Sequence, residues 1–285
     1  MKINNLFFLA ILSFLGLAAY AQTDTIYRTN GERLFVDITE IGENSIKYVY
    51  PKETLINSID KAGVAKVHFK SGRKEEYAST FNIAAVKGCK DWQMVQMSKI
   101  ESEVKGMFKI NNVGAKAKGM TTMSSISKLQ DRAYNKAKME AAMLGGNVIY
   151  ILEQNTEEAV NGGYYGGTKM PSVSISGIVY TSKKVIESEI QEGDYELSNI
   201  FVLETNAYEI AENANFMQER ILIQKNQFVS ENGFLRLVHN FISVDRQIDK
   251  YTIIYSADGL IILSGVNTTK NGKTTYYNLF LVRKG

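Results

Sequence analysis

The chain has 285 residues, with 33 lysines and arginines against 30 aspartates and glutamates, 45% hydrophobic residues, two prolines and one cysteine. A net charge of +3, with no basic cluster set among exposed aromatics, argues against a nucleic-acid groove. One cysteine excludes an internal disulfide, so order must come from apolar cores, and the hydrophobic content allows them.

Residues 1–21 read as a secretory signal. Lys2 is followed by an almost wholly apolar run from Leu6 to Ala18, and Ala19-Tyr20-Ala21 gives a small-x-small cleavage pattern before Gln22. The run is shorter than the ~20 residues that cross a hydrocarbon core, and no later segment is long and apolar enough. Cleavage between Ala21 and Gln22 is expected. The remainder would then be exported, periplasmic or secreted, and not an integral membrane protein.

Residues 22–80 alternate apolar and polar positions in "TIYRTNGERLFVDITEIGENSIKYVY" and "VAKVHFKSGRKEEY", with turns at Asn30-Gly31, Gly42-Glu43-Asn44 and Ser71-Gly72. Short strands at this spacing predict an antiparallel meander closing into a small barrel. Asp24, Ile26, Asn30, Gly31, Ile46, Tyr48, Val64, Lys66, Val67, Phe69 and Gly72 make this block resemble a small β-barrel module found at the N-terminus of exported bacterial proteins. That resemblance implies a fold and no reaction. Residues 81–91, with Cys89, read as a connector.

In residues 92–183, "WQMVQMSKI" and "EVKGMFKINNVGA" predict strands. A helix is expected to start near Ser124-Ser125, where a serine hydroxyl can accept a first-turn N–H. Ile126, Leu129, Ala133, Ala137, Ala141 and Leu144 form one apolar stripe. Lys128, Asp131, Arg132, Lys136, Lys138 and Glu140 fall off it, on the expected wet face. Gly145-Gly146 follows the helix and so reads as its C-terminal cap; a phosphate loop would precede a helix. "NVIYILEQN" and "PSVSISGIVYTS" predict two further strands, and the order implies a βαββ two-layer sandwich. Ala141, Leu144, Gly145, Gly146, Asn147 and Ile149, with the strand "SISGIVY", resemble the βαββ domains of bacterial envelope proteins. Among these are RcsF-type outer-membrane stress sensors and small proteins described as heavy-metal-binding domains. The disulfides of such sensors cannot form here, and residues 92–181 hold no histidine or cysteine for a metal.

Residues 184–285 predict a C-terminal antiparallel sheet or partial barrel, faintly similar to lipocalin-like barrels. Hairpin turns are expected at Asp258-Gly259 and Asn271-Gly272, and one short helix in "AYEIAENANFMQE". The fold class is therefore α+β, predominantly β.

Chemistry-bearing residues are sparse. His68, His239 and Cys89 occur in separate settings, whereas a closed zinc site needs about four ligands at set spacings. Lys87 and Lys90 flank Cys89 and could lower a thiol pKa, but the chain has no resolving cysteine. Glu101 and Glu103, two apart on a predicted strand, and Glu157-Glu158 are carboxylate pairs of the kind that arise by chance among 30 acidic residues. No catalytic, cofactor or metal site is expected. The strongest recognition candidate is the loop Gly162, Gly163, Tyr164, Tyr165, Gly166 and Gly167, whose rings could stack on a glycan or dock on another envelope protein. Two functions follow: a non-catalytic interaction or structural module of the cell envelope, or a carrier whose C-terminal sheet encloses an apolar ligand against Ile253, Tyr255, Ile262, Leu279 and Leu281.

Overall fold

The computed structural model describes residues 23–28, 32–77, 83, 86–160 and 167–284. Ala21 and Gln22 lie outside the described residues, as do Gly162, Gly163, Tyr164, Tyr165 and Gly166; Gly167 is described and exposed. The protein is α+β and mostly β, and the chain divides into two compact units, residues 1–79 and 80–285. Among the described residues no helix is long and apolar enough to cross a membrane.

In the first unit, β1 (Asp24–Arg28), β2 (Arg33–Ile41), β3 (Ser45–Val49), β4 (Asn57–Asp60), β5 (Val64–His68) and β6 (Lys74–Glu76) form an antiparallel sheet ordered β4-β3-β2-β1-β5-β6. Alternation places Ile26, Val36, Ile46, Tyr48, Val64 and Val67 in one core, onto which Ile59 and Tyr77 also pack. Asp24 is buried because both its carboxylate oxygens are used: one accepts the Ile38 amide at 2.8 Å and the other the Lys70 amide at 2.7 Å. It ties the bulge of β2 to the turn between β5 and β6.

The second unit opens with a short 3₁₀ segment at Cys89–Met94, then β7 (Gln96–Ser98), helix α1 (Glu101–Val104), β8 (Phe108–Lys118), helix α2 (Ile126–Met143), β9 (Val148–Glu157) and β10 (Ser172–Thr181). The sheet order is β7-β9-β10-β8, antiparallel except that β7 runs parallel to β9. Helix α1 corrects the strand expected through Glu101 and Glu103: both carboxylates stand on one helical turn. Helix α2 starts after Ser125 as expected, but that serine makes no side-chain cap. The Ser124 hydroxyl serves the preceding turn instead, accepting the Thr121 amide at 3.2 Å.

The C-terminus of α2 matches its sequence signal. Gly145 has φ 79°, its amide bonds to Ala142 O at 3.0 Å, and the Gly146 amide bonds to Ala141 O at 2.8 Å. These are the two bonds of a Schellman cap.

The remaining strands are β11 (Gly193–Glu204), β12 (Ala211–Glu212), β13 (Arg220–Ile223), β14 (Phe228–Glu231), β15 (Phe234–Val238), β16 (Lys250–Ala257), β17 (Leu260–Thr268) and β18 (Thr274–Arg283). They form one antiparallel sheet, β12-β11-β18-β17-β16-β15-β14, with β13 also on β11. Asp258 and Gly259 both have positive φ, as a type I′ hairpin requires, and Asn232-Gly233 makes the same turn between β14 and β15. At Asn271-Gly272 only the glycine is left-handed. The short helix expected in residues 207–219 is absent; that stretch holds β12 and irregular chain.

Both faces of the central strands are covered. Ile261, Leu263, Leu279 and Leu281 join Tyr195, Leu197, Phe241 and Tyr251 in one core. Their neighbours Ile262 and Phe280 point the other way, into a core shared with Ala137, Ala141 and Met143 of α2 and with Val113, Ile149 and Val179 of the four-stranded sheet. The helix therefore lies between two sheets. Blocks expected at 92–183 and 184–285 share this core within a single compact unit.

Candidate functional site

Covering the second face of α2 overturns the expected wet face at two positions. Lys136 and Glu140, one helical turn apart, are only 4% and 3% exposed. The Lys136 ammonium donates to Lys116 O at 3.0 Å and stands 4.1 Å from the centroid of the Tyr208 ring. Arg132 adds a hydrogen bond of 2.8 Å to the Tyr208 hydroxyl. Burial lowers the Lys136 pKa below the ordinary lysine value. Glu140 shows the opposite shift: burial raises its pKa to about 7, against smaller lowering by the Asn206 backbone amide and by Lys136. Its Oε1 has no hydrogen-bond partner among the described residues. The segment after β11 is thus held to the helix at Asn206 and Tyr208.

This buried carboxyl makes stability depend on pH. A folded pKa of about 7 lies above the unfolded value near 4.5, so the folded state favours the neutral form. The contribution is fully present below about pH 4.5 and is lost as pH rises through 7. Urea denaturation of Glu140→Gln and the parent at pH 5 and pH 8 should show the parent losing roughly 2.5 kcal/mol more than the variant over that interval. Parallel pH profiles for the two proteins would rule out an uncomfortable Glu140.

Beside this cluster lies a half-open cleft of about 300 Å³. The 3₁₀ segment supplies Cys89, Lys90 and Trp92, the helix supplies Met139, and β11 with the following segment supplies Phe201, Tyr208, Glu209 and Ile210. The backbone of its lining residue Cys89 is anchored by Asn278, a fully buried residue of β18. Asn278 Oδ1 accepts the Cys89 amide at 2.8 Å, while Nδ2 donates to Met143 O at 2.8 Å. One side chain therefore joins the 3₁₀ segment, the end of the helix and the sheet. The Lys90 ammonium lies 5.0 Å from the ring centroids of both Phe201 and Phe280.

Cys89 is free and 2% exposed. Burial pushes its pKa up to about 12, and this outweighs the opposing effect of Lys90. The expectation that nearby lysines could activate the thiol is corrected: at neutral pH it stays protonated and weakly nucleophilic. His239 lies 4.5 Å from Phe241, ring to ring, and burial depresses its pKa. His68 belongs to the other unit and stands 4.7 Å from Tyr27; slight desolvation and then Lys74 and Lys66 lower its pKa. Glu103 accepts from the Ser98 hydroxyl, and exposed Glu157 accepts from Ser172 at 2.8 Å. No group of three or more His, Cys, Asp or Glu is placed to hold a metal among the described residues. The cleft was not expected from the sequence. Its parts come from three distant segments, and only Asn278, a polar residue inside "TTYYNLFLVR", marks the spot.

The geometry defines a three-layer β/α/β unit with a small apolar cleft at one margin of its shared core. Compared with protein-family models, curated proteins and solved structures, the chain matches none of them.

Proposed function

We propose that this is an exported, non-catalytic module of the cell envelope that works by interaction with another envelope protein or a glycan. The observation that carries the reading is the two-sided filling of the C-terminal sheet. Of the residues that would line a carrier's cavity, Ile253, Leu279 and Leu281 pack into one core, whereas Ile262 and Tyr255 belong to the other. Side chains divided between two packed layers leave no common lumen for them to line. The signal-like residues 1–21 support export, and the protonated thiol of Cys89 favours binding over covalent chemistry.

Native mass spectrometry of the protein purified from its host's envelope fraction tests this reading. The expected species is a polypeptide beginning at Gln22, free of lipid, whose capture of envelope protein or glycan weakens when Tyr164 and Tyr165 are replaced by serine. A stoichiometric copurified lipid would favour the carrier.

A further inference from the structure

We infer that the cleft beside Trp92 is a binding site for a small zwitterion with an apolar body, of the chemical class of a free aromatic α-amino acid. The inference goes beyond the envelope-module reading and stands or falls separately from it. A volume of about 300 Å³ is at the small end of ligand pockets, the size range of a single amino acid. Trp92, Met139, Phe201, Tyr208 and Ile210 offer a largely apolar and aromatic wall for a ring.

Charge selects within that size class. Lys90 and Glu209 line the same cleft with opposite signs, and Cys89 adds no anion because its thiol stays protonated. A ligand carrying only a carboxylate would pair with Lys90 and face Glu209 as a like charge. A purely cationic ligand meets the converse problem, and a neutral one pairs with neither. A zwitterion satisfies both groups, with its carboxylate at Lys90 and its ammonium at Glu209.

The wall is also pre-organised. Asn278 holds the Cys89 backbone, Arg132 and Lys136 hold Tyr208, and the Phe201 and Phe280 rings flank the Lys90 ammonium. Little ordering is left for the ligand to impose.

The test titrates the full-length mature protein with L-phenylalanine, followed by fluorescence of Trp92, the only tryptophan, and by calorimetry. N-acetyl-L-phenylalanine and L-phenylalaninamide each remove one charge, and glycine removes the ring. Saturable binding of L-phenylalanine is expected, weakened about tenfold or more by each change. Lys90→Gln should weaken L-phenylalanine but tighten L-phenylalaninamide, whose like charge it removes; Glu209→Gln should weaken L-phenylalanine and tighten the N-acetyl compound for the same reason. Both residues are exposed, and circular dichroism checks that the variants keep the parent fold. No saturable signal up to the solubility limit would overturn the proposal. So would equal affinity for the three phenylalanine compounds, or variants that bind like the parent.

Discussion

Replacing Gly146 with alanine is expected to destabilise the second unit by roughly 2–4 kcal/mol, a large share of a domain's typical stability. A Cβ at this position would stand 2.1 Å from a methyl of Val179 and 3.2 Å from Ala141 O. Val179 is fully buried in β10, so it has no free space into which to turn. At Gly145 the collision comes from the opposite sheet, with Ile254 Cβ and Cγ2 each 2.6 Å from the added atom. Its φ of 79° adds the left-handed penalty of about 1–2 kcal/mol. The helix therefore ends where two sheets close on it, and each glycine accommodates one of them. Gly167→Ala is the control: among the described residues nothing lies within 4 Å of its Cβ, so the change should be within about 0.5 kcal/mol. Urea midpoints of the three variants decide the matter. Wild-type stability at Gly146→Ala would mean that α2 does not approach β10 so closely.

Asn278→Leu should cost a comparable amount, roughly 2–5 kcal/mol, although leucine has similar bulk and the site is otherwise apolar. The loss comes from two backbone groups left behind, the Cys89 amide and the Met143 carbonyl. Each is buried away from water, and an unpaired buried polar group costs about 1–3 kcal/mol. Asn278→Asp keeps the acceptor for Cys89 and loses the donor for Met143, so it should not restore stability. Chemical denaturation measures the loss, and a changed native emission of Trp92 would report the released 3₁₀ segment. Full stability for Asn278→Leu would show that the network does not hold these parts together.

Much of this architecture is legible in single segments. The alanine stripe of α2 and the Gly145-Gly146 stop follow from local rules, as do the Asp258-Gly259 hairpin and the alternation of β1 to β5. The misreadings at Lys136, Glu140 and Cys89 share one cause: a partner brought from far along the chain. Lys136 and Glu140 have the spacing of a solvated face until Lys116 of β8 and the segment after β11, at Asn206 and Tyr208, cover them. A signal for a second covering layer is present in "LIILSG", where Ile261, Ile262 and Leu263 are consecutive and all buried. Uninterrupted apolar residues in a strand call for burial on both faces, which a two-layer domain cannot supply. Cys89 and Asn278 are 189 residues apart, and no local pattern predicts their bond. Glu101 and Glu103 were misplaced for a smaller reason. A single helical turn is too short to produce a periodic signal.

Native-state hydrogen exchange of the whole protein tests the shared core most directly. Amides of Val173, Ile175 and Val179 in β10 should open with the same free energy and the same urea dependence as those of Ile262, Leu263 and Leu279, because the helix between them cannot leave one sheet without exposing the other. Two distinct free energies with two distinct urea slopes, one for each sheet, would show two separate domains and contradict the three-layer account.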